Sequence, residues 1–313
     1  MSTLQRKLAA GELVITGELP VINGDGLATL ERHLEPIEPW LDAINATDNP
    51  SARAHAAPLA VAIGLRQHGV EPIMQLTCRD RNRLALQADL VGAAMFGIEN
   101  ICCLTGDDVT AGDEPQARRV FDLDGPQLVA LVQMVGEGRY MSGRTIEPPP
   151  GFFVGAVENP GAPPFEVRRR RAEKKADAGA SFLQLQLCYR PELLERFIAG
   201  VHERGVTSRC AMLPSICMVG SPGALRFIDE RVPGVEVPPE VLERVDRAAD
   251  PGEECLELAC EQARHALSLP GVAGIHLISF RKDAGIQRLC ERVGIPSRAE
   301  REEQRGHRPP VAV

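Results

Sequence analysis

One alternation runs through the whole chain and limits its fold more than any other feature. Short apolar runs of β character are each followed by a longer segment with apolar residues at helical spacing. The pattern predicts strands over residues 13–19, 43–47, 72–78, 100–106, 152–157, 182–187, 209–214 and 274–279. Between them it predicts helices over residues 27–34, 82–96, 126–136, 166–178, 191–204 and 253–269. Asp80 ahead of Asn82 and Asp124 ahead of Pro126 are helix-start signals. Eight such units in 313 residues match a single α/β domain of the (β/α)8 TIM-barrel class, which takes about 250 residues. A doubly wound open sheet shares the same local grammar, but no G-x-G-x-x-G follows the first strand. Surplus length falls in the Pro-rich stretch 140–151 and in 231–251. The barrel is expected over 1–296, with 297–313 a charged, non-periodic, poorly ordered tail that frays or packs loosely.

Composition narrows the function class. With 44% hydrophobic and 25% charged residues the chain is neither collagen-like nor disordered. Its net charge of −8 offers no bulk attraction for nucleic acid or an anionic membrane. Nine cysteines without a C-x-x-C pair argue for reduced thiols over disulfides or structural zinc. The first residues lack a signal-cleavage pattern, and no apolar run reaches the roughly 18 residues of a membrane span. The expectation is a cytoplasmic protein.

In a barrel, active sites gather at the C-terminal ends of the strands, so polar residues ending apolar runs become candidates. They are Glu18; Asn45, Thr47 and Asp48; Gln75 and Thr77; Thr105, Gly106, Asp107 and Asp108; Glu158 and Asn159; Gln184 and Gln186; and Ser279 before Arg281 and Lys282. Glu18 lies in a mostly apolar setting that would raise its pKa and suit a general acid; a solvated or helix-capping carboxylate is the other reading. Asp107 follows a glycine that lets the chain turn tightly near a planar ligand, as it would in a plain βα turn. Gln184 and Gln186 share a strand face, toward a heterocycle edge or within a polar barrel layer. The run Arg168 to Arg171, with Lys174 and Lys175, opposes a helix dipole unless it holds an anion such as a phosphate; a solvated basic face is the alternative. The histidines, His276 among them, show no metal-ligand spacing, and there is no H-E-x-x-H or G-x-S-x-G. No metal is expected, and Cys188 and Cys217 read as inert.

The stretch Asn100-Ile-Cys-Cys-Leu-Thr-Gly-Asp107, with Gly112-Asp-Glu-Pro115 and Val120-Phe-Asp-Leu-Asp124, resembles the methylenetetrahydrofolate reductase family. So do Leu76-Thr-Cys-Arg-Asp-Arg-Asn82, residues 175–186, Gly274-Ile-His-Leu-Ile-Ser279 and Val293-Gly-Ile295. The resemblance runs from about Val14 to Pro296. It implies a barrel that reduces 5,10-methylenetetrahydrofolate to 5-methyltetrahydrofolate, passing hydride from NAD(P)H through FAD. By the same resemblance Glu18 is the general acid, Asp107 the carboxylate near flavin and pterin, and Gln186, with Gln184 and Lys282, contacts substrate. Thr47, Gln75, Thr105, Gly106, Asp107, Asn159, Arg171, Lys174 and Lys175 fall to the cofactor, Lys175 at its phosphates. Three departures from the family pattern stand out: Gly17 and Leu19 flank the acid, Gln75 stands in place of a histidine, and Val157 in place of an aromatic residue. They leave FMN, or flavin-free transfer from NADH, open beside FAD. A homo-oligomer or a redox partner subunit is compatible with this reading.

Overall fold

The computed structural model describes residues 1–24, 26–279 and 285–306. Eight parallel strands close in sequence order, each bonded to the next and the last to the first. They are β1 (Val14–Glu18), β2 (Ala43–Ala46), β3 (Pro72–Thr77), β4 (Asn100–Leu104), β5 (Phe153–Glu158), β6 (Phe182–Leu185), β7 (Ala211–Met218) and β8 (Gly274–Ser279). The helices are α1 (Thr3–Ala9), α2 (Leu27–Leu34), α3 (Pro58–Gln67), α4 (Arg83–Met95), α5 (Gly125–Gly136) and α6 (Phe165–Asp177). They continue with α7 (Pro191–Glu203), α8 (Pro222–Arg231), α9 (Pro239–Arg247), α10 (Pro251–Ser268), α11 (Gly285–Val293) and α12 (Arg298–Gly306). This is the expected (β/α)8 barrel.

Period-2 alternation divides every strand between two cores. Outward residues such as Ile15, Ile44, Met74, Cys103, Val154, Leu183 and Leu277 are buried against the helices. Inward residues at the strand starts, Val14, Ala43, Ile73, Cys102, Phe153, Phe182 and Leu213, pack as one apolar plug, and Leu4 of α1 closes it from below. Phe182 stacks on Phe153 with ring centroids 5.5 Å apart. It also lies across Gly155, where a Cβ would come within 2.2 Å of the ring, so only glycine fits there.

β7 differs most from expectation. Pro214 read as a strand end, because proline cannot donate to a ladder. Here the strand pairs with β6 through Pro214 and with β8 from Ser215 onward, so the missing N–H falls where the partner changes. The extension carries Cys217 and Val219 into a satellite core with Leu225 of α8 and Val245 of α9. The expected excess at 231–251 thus becomes a helical excursion on one side of the mouth.

The expected tail is also ordered at its start. Ser297 and Glu300 cap α12 reciprocally, with Ser297 N–H 2.8 Å from Glu300 Oε2. Arg301 then reaches Asp42 at 2.9 Å and the Pro296 carbonyl at 2.6 Å. Asp42, just before β2, also binds Lys7 of α1 at 2.5 Å and accepts the Ile15 N–H at 2.8 Å. Residues 307–313 lie outside the described residues.

Candidate active site

Above the apolar plug sits a hydrogen-bonded layer made from the middle residues of the strands. Asn45 and Gln184 exchange amide hydrogen bonds at 2.9 and 3.0 Å. His276 Nδ1 lies 2.9 Å from Thr16 Oγ1 and 3.3 Å from Gln184 Nε2. These four side chains are buried. His276 aims its other nitrogen, Nε2, up at Glu18 Oε2, 3.6 Å away. Glu18 ends β1 at the mouth with 24% of its side chain exposed. Its neighbourhood is thus a histidine standing on a fixed polar layer, rather than the apolar pocket expected from the flanking sequence.

This layer answers the open question about Gln184. Both ends of its amide are held inside the barrel by Asn45 and His276, a level below the rim, so it supports the site floor and offers nothing to a ligand. Gln186, beyond β6, is half-buried at the rim, and its side-chain oxygen accepts the Leu187 N–H at 2.9 Å. His276 was read from the sequence only as a residue without metal spacing. A polar residue alternating with apolar ones in Gly274–Ser279 is the signal that places it inside the barrel.

On the far side of the mouth the chain leaves β4 and turns at Gly106 (φ 89°), where a Cβ would press on Arg79 and Thr77 at 3.1 and 3.3 Å. Asp107 follows, half-buried. Burial pushes its carboxyl up from the usual range, opposed by the Arg79 guanidinium and by a backbone hydrogen bond from Ser51. Ser51 belongs to a loop in which Asn49, Ser51 and Ala52 all hold left-handed φ values of 45°, 53° and 56°. Three non-glycine residues in that region store local strain next to Asp107. Arg79 braces the loop, donating to the Asn49 carbonyl at 3.2 Å and to Asp80 at 2.6 and 2.8 Å.

Beside it, Asp48 is fully buried. One oxygen accepts from the Thr77 N–H (2.7 Å), the Thr77 hydroxyl (2.9 Å) and Arg81 (2.7 Å), while Oδ1 has no partner. Gln75 accepts the Asp48 N–H at 3.4 Å. Thr47 and Thr105 stand half-exposed at the ends of β2 and β4. Glu18, Asp107, Gln75, Gln186, Thr47, Thr105 and Gly106 therefore share one rim. Lys282 lies outside the described residues.

The remaining candidates are engaged elsewhere. Asn159 ties loops together, donating to the Gly234 carbonyl at 2.8 Å and accepting the Gly161 N–H at 2.9 Å. Lys174 is exposed on α6. Lys175 is buried, with its ammonium 2.6 Å from Glu158 Oε2 and 2.5 Å from the Val157 carbonyl. Burial pulls its pKa down, opposed by Glu158. Arg168 and Arg171 approach the same carboxylate at 3.7 and 3.8 Å. The cations expected to face a cofactor phosphate thus face Glu158, because a buried ammonium needs a counter-charge and β5 supplies one.

Among the described residues no cluster of metal-ligating side chains occurs, and no helix is long and apolar enough to cross a membrane. The nine cysteines are free thiols, and burial pushes Cys102 and Cys210 up to about 12.

A family model described as Methylenetetrahydrofolate reductase matches residues 4–294. The Caenorhabditis elegans protein named "Probable methylenetetrahydrofolate reductase (NADPH)" is 23% identical over 233 residues, 72% of this chain and 33% of its own length. Methylenetetrahydrofolate reductase 2 of Schizosaccharomyces pombe is 26% identical over 196 residues, 61% of this chain and 30% of its own. The chain therefore spans about a third of the length of these curated relatives. A solved protein from Clostridium thermocellum, described as binding two copies of 5-methyl-5,6,7,8-tetrahydrofolic acid, shares the fold with a TM-score of 0.68 and 14% identity. That match covers 94% of this chain and 100% of the other.

Proposed function

The chain belongs to the methylenetetrahydrofolate reductase family, and on that premise we propose that it reduces 5,10-methylenetetrahydrofolate to 5-methyltetrahydrofolate with hydride from NAD(P)H. The observation that carries this reading is the carboxylate pair on one rim: Glu18 over His276, and a desolvated Asp107 beyond β4. The Clostridium thermocellum fold relative, which binds 5-methyltetrahydrofolate, supports a folate at such a mouth.

Glu18 donates a proton to N10 as the N10–methylene bond breaks, leaving an N5 iminium. Hydride from C4 of NAD(P)H then adds to the methylene carbon, giving the methyl group and NAD(P)+. His276, held by Thr16 and Gln184, orients Glu18 and keeps its carboxyl aimed at the mouth. Asp107 offsets the positive charge of the iminium in a site where burial magnifies the interaction. Gln186 and Lys282 complete the folate side, and Thr47, Gln75, Thr105 and Gly106 line the side of the hydride source.

A flavin fits these residues poorly. The basic side chains expected at its phosphates are paired internally to Glu158, so no step is routed through it. The test combines purified protein, 5,10-methylenetetrahydrofolate and nicotinamide dideuterated at C4, with no added flavin. The expected result is nucleotide oxidation with one deuterium in the product methyl group. No oxidation with either NADH or NADPH would overturn the reductase reading; deuterium lost to solvent would overturn only the direct transfer.

A further inference from the structure

Four observations about the end of β5 belong together. First, three cations converge on the Glu158 carboxylate: Lys175 at 2.6 Å, Arg168 at 3.7 Å and Arg171 at 3.8 Å. Second, that carboxylate is nearly sequestered, with 2% of its side chain exposed, and its Oε1 also accepts the Asn159 N–H at 3.0 Å. Third, the Arg171 Nε is buried and has no hydrogen-bond partner. Fourth, Lys175 runs past the first residue of α5, since a Cβ on Gly125 would lie 3.6 Å from Lys175 Cε and 3.1 Å from the Thr105 hydroxyl.

Three positive charges, a helix N-terminus, a hydroxyl and a backbone N–H are the donor set of a phosphate site. A carboxylate fills it incompletely. Its two oxygens serve Lys175 and Asn159 at hydrogen-bond distance and leave both arginines beyond it, which is why Arg171 Nε goes without an acceptor. A phosphate brings a further oxygen and a second negative charge, and both would be used.

We propose that Glu158 is a built-in anion that occupies a phosphate site formed by Lys175, Arg168 and Arg171, and that it thereby excludes the phosphate of a flavin nucleotide from this barrel. Glu158 is then the residue that sets which hydride carrier the rim admits. The inference rests on the reductase reading for its meaning, but its test reads binding and not turnover. A flavin phosphate entering the site would have to displace a carboxylate fixed to the backbone of β5 and already paired with a buried lysine. Removing the carboxylate's charge removes that competition and leaves the cations in need of an anion.

The experiment titrates FMN and FAD into the full chain at low ionic strength, following flavin fluorescence, with inorganic pyrophosphate as competitor. Wild type is expected to purify colourless and to show no saturable flavin binding. Glu158→Gln keeps the shape and loses the charge; its affinity for FMN should rise at least about tenfold, be reversed by pyrophosphate and fall with added salt. The double variant Glu158→Leu with Lys175→Met replaces the buried pair by apolar side chains, a change such pairs commonly tolerate. It still leaves Arg168 and Arg171 without their anion and should show a smaller gain. Wild-type protein that carries flavin, or binds FMN as tightly as Glu158→Gln, overturns the proposal. So does either variant if its near-UV circular dichroism is native and its flavin affinity is unchanged. Failure of the reductase reading would appear in the turnover assay alone and leave these binding results intact.

Discussion

The two faces of the barrel treat charge in opposite ways. At the amino-terminal face Asp42 gathers Lys7 from α1, Arg301 from α12 and the Ile15 amide, so both ends of the described chain are tied to one carboxylate. Glu71 does the same for α1, accepting the Thr3 and Leu4 N–H groups at 2.7 Å each and the Asn100 amide at 3.0 Å. The apolar plug of Phe153, Phe182 and Leu4 seals what lies between. At the carboxyl-terminal face the charges are kept partly short of partners. Glu18 has a histidine at 3.6 Å rather than a close cation, Asp107 is desolvated, and Asp48 Oδ1 has no partner. The contrast follows the division of a barrel into a stability face and a working face. A group whose interactions are complete can only hold structure; one left incomplete in a dry setting can be completed by a ligand.

The comparison can be broken from either side. The largest effect is expected at the mouth, where Glu18→Gln should lower the rate of methylenetetrahydrofolate reduction about 10²–10⁴-fold. Its unfolding midpoint in urea should stay close to wild type, since Glu18 is not part of the lower clasp. At the opposite face the signs reverse. Asp42→Ala leaves the buried Lys7 without its counter-charge and should cost about 3–5 kcal/mol in urea unfolding. The rate per folded molecule should be unchanged. A loss of activity in Asp42→Ala without loss of stability would erase the distinction between the faces.

A finer cut comes from pH. The folded-state pKa of Asp107 lies above its ordinary 3.8, so the ionised carboxylate works against folding. That penalty is absent below the unfolded pKa and complete once pH passes the raised folded one. Asp107→Asn should therefore melt higher than wild type at pH 7 and lose that advantage as pH falls toward 4, measured by thermal scans. A variant less stable than wild type at pH 7 would contradict the desolvated setting. The smallest effect concerns thiols. Eight of the nine cysteines are buried and Cys188 is partly so. Ellman's reagent at pH 8 should find at most one reacting thiol in native protein and nine after denaturation.

Strand order and most helix boundaries were legible in the sequence, because period 2 and period 3.6 alternate cleanly from Val14 onward. Three features were not, each for a physical reason. Pro214 looked like a strand end, since local chemistry cannot show that a strand changes partner at that residue. The helix at Arg298–Gly306 has no apolar face, and only the Ser297 to Glu300 capping signal marked it. Within the site, residue types at strand ends located the rim and picked out Glu18 and Asp107. What they could not fix was depth. Gln184 and Gln186 are two residues apart on one strand face, yet one is locked in the floor and the other reaches the mouth. Nor could charge alone tell that Lys175, Arg168 and Arg171 converge on Glu158, because that pairing depends on how α6 leans on β5.

The most direct measurement is a crystal structure of the protein soaked with 5-methyltetrahydrofolate. The account predicts a pterin lying in the carboxyl-terminal mouth, its N5–N10 edge within hydrogen-bond reach of Glu18 and its ring edge toward Asp107. A folate seated on the outer helices or at the Asp42 face, with Glu18 facing only solvent, would contradict it.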